Sequence, residues 1–274
     1  MSTVNHVIVE KNGRLLEIFD SGFSHGPTVV FVHGAGSNAS QFAHEHERLC
    51  QDFRVVSISL HGHGPQFKDR KFTSEEFRLD KLAGDVLLCM DLLHQERFHF
   101  VGNSAGGLVG LELAKQFPER LLSLCTFGTT GKLSFGALVH LIAGIDKLMI
   151  WMNPQGYLGF AARNSSRKME VQEKVKALLL ASCHATPYIR SQIGNYDYLN
   201  VIRTMELPYL LMECEHDSEI NKTLATTLDA AKANPHAKKV FLQEAGHFAN
   251  LDQPALFVQL LKAHLNDVEA RREN

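Results

Sequence analysis

The residues best placed to do chemistry begin with a serine between glycines. Gly102-Asn103-Ser104-Ala105-Gly106 follows the apolar run FHFV and precedes the helical run GLVGLELAKQF. A strand–turn–helix with this G-x-S-x-G pattern is the context of a nucleophile elbow, in which a tight, strained turn holds a serine oxygen at a helix N-terminus. There the backbone N–H of Ala105 and the helix dipole favour a developing oxyanion. A serine is a poor nucleophile unaided and needs a base within hydrogen-bond reach, oriented by a third group. Two later positions supply these: Asp217 after the run PYLLMECE, and His247 after KKVFLQE. Both fall where strands end, which is where open α/β sheets collect their active sites. The order Ser104, Asp217, His247 is also the chain order of one serine-hydrolase arrangement. His247 is then the general base and Asp217 the acid that fixes its tautomer. Glu213 and Glu215 stand close by, but Asp217 has the strand-exit position and Glu215 is held in reserve.

His33-Gly34-Ala35-Gly36 follows the strand TVVFV, and its turn offers a second N–H donor, from Ala35, opposite that of Ala105. The stretch from Gly34 to Ala39 also matches the dinucleotide pattern G-x-G-x-x-A. A nicotinamide enzyme would need an Asp or Glu about 20 residues on, at the end of the next strand. That strand, RVVSISL, has none, and the dehydrogenase reading leaves the serine, acid and histidine unused. No cofactor is expected. The pairs His44/His46 and His61/His63 lack a further ligand at metal-site spacing, so they read as helix surface and loop, and no metal is expected. The five cysteines are scattered, odd in number and never C-x-x-C, which argues for free thiols rather than a disulfide framework.

These side chains need a scaffold. Strand-like runs recur at Val4 to Val9, Arg14 to Asp20, Thr28 to Val32, Arg54 to Ser59, Phe98 to Gly102, Leu121 to Phe127, Pro208 to Cys214 and Lys238 to Leu242. The first two look like a hairpin turning at Asn12-Gly13, and from Thr28 onward continuous apolar strands such as TVVFV and HFVG, separated by helix-like segments, read as a parallel sheet covered on both faces. Helical spacing appears at Ala39 to Gln51, Leu79 to Glu96, Ala105 to Phe117, Glu219 to Ala233 and Pro254 to Val268. The fold class is α/β. Between Thr130 and Thr204 the alternation stops and a helical insertion intervenes, so residues 1–130 and 205–274 form the core and 131–204 a cap.

The ordered set HGAG at 33–36, HGHG at 61–64, GNSAGG at 102–107, EHD at 215–217 and AGH at 245–247 resembles the α/β-hydrolase superfamily across nearly the whole chain. The resemblance implies an eight-stranded, mostly parallel sheet, a cap after the sixth strand, the Ser104/Asp217/His247 triad and an oxyanion hole from Ala35 and Ala105. It departs at Ser59-Leu60-His61-Gly62-His63-Gly64, where family members often carry D-x-R-G-H-G. A serine at the elbow excludes the branches that attack through an aspartate.

The expected activity is carboxylic ester hydrolysis through an acyl-enzyme, on small to medium apolar acyl substrates. Thioester, lactone or C–C bond hydrolysis uses the same triad, and a non-catalytic sensor could share the scaffold. Large apolar residues of the insertion, Leu141, Met149, Trp151 and Tyr157 among them, are expected to line the acyl pocket. A net charge of −2 offers no basic field for nucleic acid. The most apolar stretch, Phe135 to Met152, is interrupted by His140, Asp146 and Lys147, which disfavours a membrane span. The start MSTVNHVIVEKNGR lacks the basic and apolar regions of a secretory signal, so a cytoplasmic location is expected. The oligomeric state is left open.

Overall fold

A computed structural model describes residues 4–22 and 26–272. Eight strands form one sheet: β1 (Asn5–Lys11), β2 (Arg14–Asp20), β3 (Thr28–Val32), β4 (Arg54–Ser59), β5 (Phe98–Asn103), β6 (Leu121–Phe127), and, after the short strands β7 (Lys132–Ser134) and β8 (Asn195–Asp197), β9 (Tyr209–Cys214) and β10 (Ala237–Leu242). The order across the sheet is β1-β2-β4-β3-β5-β6-β9-β10, antiparallel at β1/β2 and β2/β4 and parallel elsewhere. The hairpin turns at Asn12-Gly13, both with positive φ (53° and 75°), the backbone that a two-residue hairpin requires.

Strand alternation sorts the core onto the two faces. Val30, Val32, Val56 and Ile58 pack on one side with helices α2 (Leu79–Leu92) and α3 (Ala105–Gln116). Val29, Phe31 and Val55 pack on the other with α1 (Ala43–Leu49) and α12 (Pro254–Arg272). Burial on both faces is why β3 is apolar from Val29 to Val32 and why even the serines of β4 are buried. From β3 the chain passes to β4 on one side and later to β5 on the other, so the loops after β3 and β5 meet at the point where strand order reverses. HGAG and Ser104 occupy those loops.

Between β7 and β8 lie α4 (Leu138–Met152), α5 (Pro154–Ser165), α6 (Met169–Ser182) and α7 (Thr186–Arg190). This insertion rests on the loops at the carboxyl ends of the strands. Ser182 Oγ accepts the Gly64 N–H at 3.0 Å, the His184 ring donates from Nε2 to Gly62 O at 2.8 Å, and Ser165 O accepts the His247 N–H at 2.9 Å. After α8 (Leu199–Thr204), the expected helix from Glu219 is two pieces, α9 (Ser218–Asn221) and α10 (Ala225–Lys232). Asn221 turns its amide back to Cys214 O at 2.9 Å, which tightens the β9 exit and breaks the run. The short α11 (Ala249–Asp252) follows the His247 loop. No helix among the described residues is long and apolar enough to cross a membrane.

Candidate active site

Ser104 caps α3 with φ 53° and ψ −116°, a conformation costly for any side chain and therefore held by its surroundings. The neighbouring glycines make room for it. A Cβ on Gly102 would lie 2.5 Å from Gly106 backbone, and one on Gly106 would lie 2.2 Å from Val32 O, so strand and helix can close only without side chains there. Asn103 braces the turn from beneath: its Nδ2 donates to Phe127 O at 3.2 Å and to His247 O at 3.0 Å, and its Oδ1 accepts from Gln41 at 3.1 Å. The residue beside Ser104 thus grips the backbone of His247.

His247 donates from Nδ1 to Asp217 Oδ2 at 2.8 Å, with the carboxylate buried and the imidazole 23 % exposed. Burial works to lower the His247 pKa, but the charge and hydrogen bond of Asp217, with Glu219 nearby, outweigh it and hold the ring above the usual histidine value. With Nδ1 committed to Asp217, Nε2 is the nitrogen free to take a proton. Glu213 pairs instead with Lys239 at 2.8 Å, and Glu215 accepts the Glu244 N–H at 2.9 Å. Among the three acids near the β9 exit, Asp217 is the one bonded to the histidine.

Gly34 lies against Ser104: a Cβ there would be 3.0 Å from Ser104 Cβ. Among the described residues no loop or cap bond supplies an acceptor to the N–H of Ala35 or of Ala105. Three buried histidines hold the loop. The His33 ring donates from Nδ1 to Gly34 O at 2.7 Å and accepts the Leu60 N–H, and His63 accepts the Gly36 N–H at 3.3 Å while donating to His61 O at 3.0 Å. His61 accepts the Leu15 N–H at 3.0 Å. These bonds need neutral rings, and burial keeps them neutral: His33 and His61 fall to about 4, and His63 well below the usual value. His61 and His63 thus lie in a loop, as expected, but buried within it, and that burial corrects the expectation of a solvated pair. His46 is buried too, bonded to Ser57 Oγ at 3.0 Å. At the surface Glu215, His216 and Glu244 converge as a possible ligand set, but Arg167 already faces His216 Nε2 at 3.1 Å.

From the insertion, Tyr157 donates its hydroxyl to the buried Asp146, which also pairs with Arg190 at 2.6 Å. Burial and the Asp146 contact push the Tyr157 phenol up to about 12, so it stays a donor. Arg190 lies one helical turn beyond Thr186, whose side chain sits where a Cβ on Gly36 would go. Leu141, Met149 and Trp151 take another position. They are 60 %, 37 % and 80 % exposed; Leu141 and Trp151 lie on sides of α4 turned away from Asp146, while Met149, three residues after it, shares its side. The expectation that they line a pocket followed from an apolar stripe alone, which does not say which side faces the sheet. Gln41, Thr186 and Arg190 carried no local motif, and Asn103 stood only at a variable position of the elbow pattern, so their roles became visible only as contacts.

A family model of the alpha/beta hydrolase family matches residues 29–260, most of the chain, and the chain belongs to that family. Over 163 residues, 60 % of this chain, it is 31 % identical to the dihydrolipoyllysine-residue acetyltransferase component of the acetoin cleaving system of Pseudomonas putida, and spans 40 % of that protein's length. It is 25 % identical to a pimeloyl-[acyl-carrier protein] methyl ester esterase of Aeromonas hydrophila, over 88 % of this chain and 96 % of the other. A hydrolase of Pseudomonas aeruginosa shares the fold, with a TM-score of 0.80 at 23 % identity over 95 % of this chain and 98 % of the other.

Proposed function

We propose that this hydrolase cleaves small to medium apolar carboxylic esters through an acyl-enzyme on Ser104. The observation that carries this reading is the 2.8 Å bond from His247 Nδ1 to the buried Asp217, on a loop whose backbone is gripped by the residue next to Ser104. In the acylation half, His247 Nε2 takes the Ser104 proton as Oγ attacks the carbonyl. The tetrahedral oxygen is received by the N–H groups of Ala35 and Ala105. Collapse breaks the bond to the alcohol, which leaves with the proton from His247. Water, deprotonated by the same nitrogen, then attacks the acyl-enzyme, and its proton passes through His247 to Ser104 as the acid departs.

In this reading residues 131–204 act as the cap, with Tyr157, Thr186 and Arg190 toward the site. The likeness to a methyl ester esterase over nearly both lengths supports an oxygen ester, while thioester, lactone and C–C bond hydrolysis remain the alternatives that use the same triad. The test is fluorophosphonate labelling with peptide mapping, alongside p-nitrophenyl esters of graded acyl length. One label at Ser104, lost in Ser104→Ala, with ester turnover is expected. Labelling without turnover of any acyl substrate identifies a ligand sensor, and no labelling of folded protein overturns the reading.

A further inference from the structure

Helix α4 has two sides of different character. Val139, Ala143 and Asp146 are buried, and through Asp146 the helix reaches Tyr157 and Arg190. On the opposite side Leu138, Leu141, Ile145, Leu148 and Met152 recur at spacings of three and four residues and are 60 %, 60 %, 49 %, 51 % and 63 % exposed. Trp151 stands beside them at 80 % exposure, and Phe160 of α5 adds another exposed ring at 58 %. Single apolar residues on a surface are ordinary, but a whole helix side of them marks a surface that meets something apolar.

Charge decides what that is. From Leu133 to Met169 the chain has one carboxylate, Asp146, which is buried and paired with Arg190. In the same stretch Lys147, Arg163 and Arg167 are exposed and, among the described residues, face no carboxylate, Lys147 lying over the Tyr188 ring and Arg167 beside His216. Residues 131–204 hold nine lysines and arginines against four carboxylates, a net of +5, while the chain as a whole is −2. A second copy seated on this face by a two-fold axis would bring two basic surfaces together. An anionic lipid surface meets both features at once: headgroups take the cations, and the acyl boundary takes leucine, isoleucine, tryptophan and phenylalanine. We infer that the exposed side of α4, with Phe160, is an interfacial docking face by which the protein seats on anionic lipid, lying on the bilayer and not spanning it. The sheet carries the chemistry and the outer side of the insertion carries the address.

The chain supplies its own reporter, because Trp151 is its only tryptophan. Phosphatidylcholine vesicles with and without phosphatidylglycerol are titrated into the protein while Trp151 emission is followed, and co-sedimentation is measured in parallel. With phosphatidylglycerol the emission is expected to shift to the blue, to be quenched by lipids brominated on the acyl chain, and to return toward its free position at high salt. The double variant Ile145→Glu/Leu148→Glu, at two exposed positions, should keep its thermal unfolding and its fluorophosphonate labelling. Its partitioning onto the vesicles should fall by about tenfold or more, as apolar area is lost and negative charge is added. Absence of both shift and sedimentation overturns the inference, as does undiminished binding by the double variant. A dimer in analytical ultracentrifugation that this variant dissociates would assign the face to a second copy and overturn it equally.

Discussion

Replacing Asp217 by asparagine changes one atom and inverts one hydrogen bond. In the native site Asp217 Oδ2 accepts from His247 Nδ1 at 2.8 Å, while Oδ1 faces the Ile220 N–H at 3.4 Å as the cap of α9. Ile220 can only donate, so an asparagine at 217 keeps its carbonyl oxygen toward the helix and turns its amide NH2 to the imidazole. A donor facing Nδ1 selects the tautomer protonated at Nε2, which cannot take the Ser104 proton, and the charge that stabilised the imidazolium is gone as well. A buried triad that loses its acid this way falls by about 10⁴ in turnover, or about 5 kcal/mol of transition-state stabilisation. Glu213→Gln and Glu215→Gln, whose partners lie elsewhere, should stay within about threefold of the parent. The assay is kcat/KM on the best p-nitrophenyl ester, with thermal unfolding to show that the variants fold. Asp217→Asn retaining a tenth of native activity, or Glu215→Gln proving the more damaging change, would refute the assignment.

The pH profile follows from the same pair. His247 is held above the usual histidine value, and the proposed mechanism needs it neutral, so kcat/KM should rise with pH through an inflection above 6.5. The stability that the pair contributes has the opposite sense. It is complete below the unfolded histidine value and is lost as pH rises through the folded one, so a melt series and a rate series should run in opposite directions across that window. Glu45 is fully buried on α1, where burial raises its carboxyl from 4.5 to about 8. The unfolded chain ionises first, so this residue costs stability as pH rises between those values. Glu45→Gln should therefore raise stability at pH 7 by about 3 kcal/mol and leave it unchanged near pH 4, as measured by urea unfolding. Gly106→Ala places a methyl 2.2 Å from Val32 O, backbone against backbone, and should unfold the elbow or cost more than about 3 kcal/mol. A folded, active Gly106→Ala would show that the helix can retreat from β3.

What could be read in the sequence divides according to how local its cause is. β5 and β9, before Ser104 and Asp217, are buried apolar runs with both faces covered, whereas β10, before His247, is an edge strand with Lys238, Lys239 and Phe241 exposed; each candidate residue was read from its place just past a strand end. β7 and β8 were not, since three residues carry no periodicity and their pairing joins positions 132–134 to 195–197. The histidines escaped for a different reason. Nothing in HGHG tells a solvated imidazole from one that is buried and spends both nitrogens on backbone, and His63 does so only because the loops after β3 and β4 lie side by side. Helix α4 marks the limit most clearly. A stripe at spacings of three and four announces an amphipathic helix, yet the polar residue inside the run, Asp146, faces inward because Arg190 and Tyr157 wait there, forty-four and eleven residues further on. With a partnered carboxylate taking the inner side, the leucines and Trp151 are left on the outer one. Reading α4 as pocket lining took hydrophobicity as the sign of inwardness, and a buried ion pair on the inner side is what reverses it.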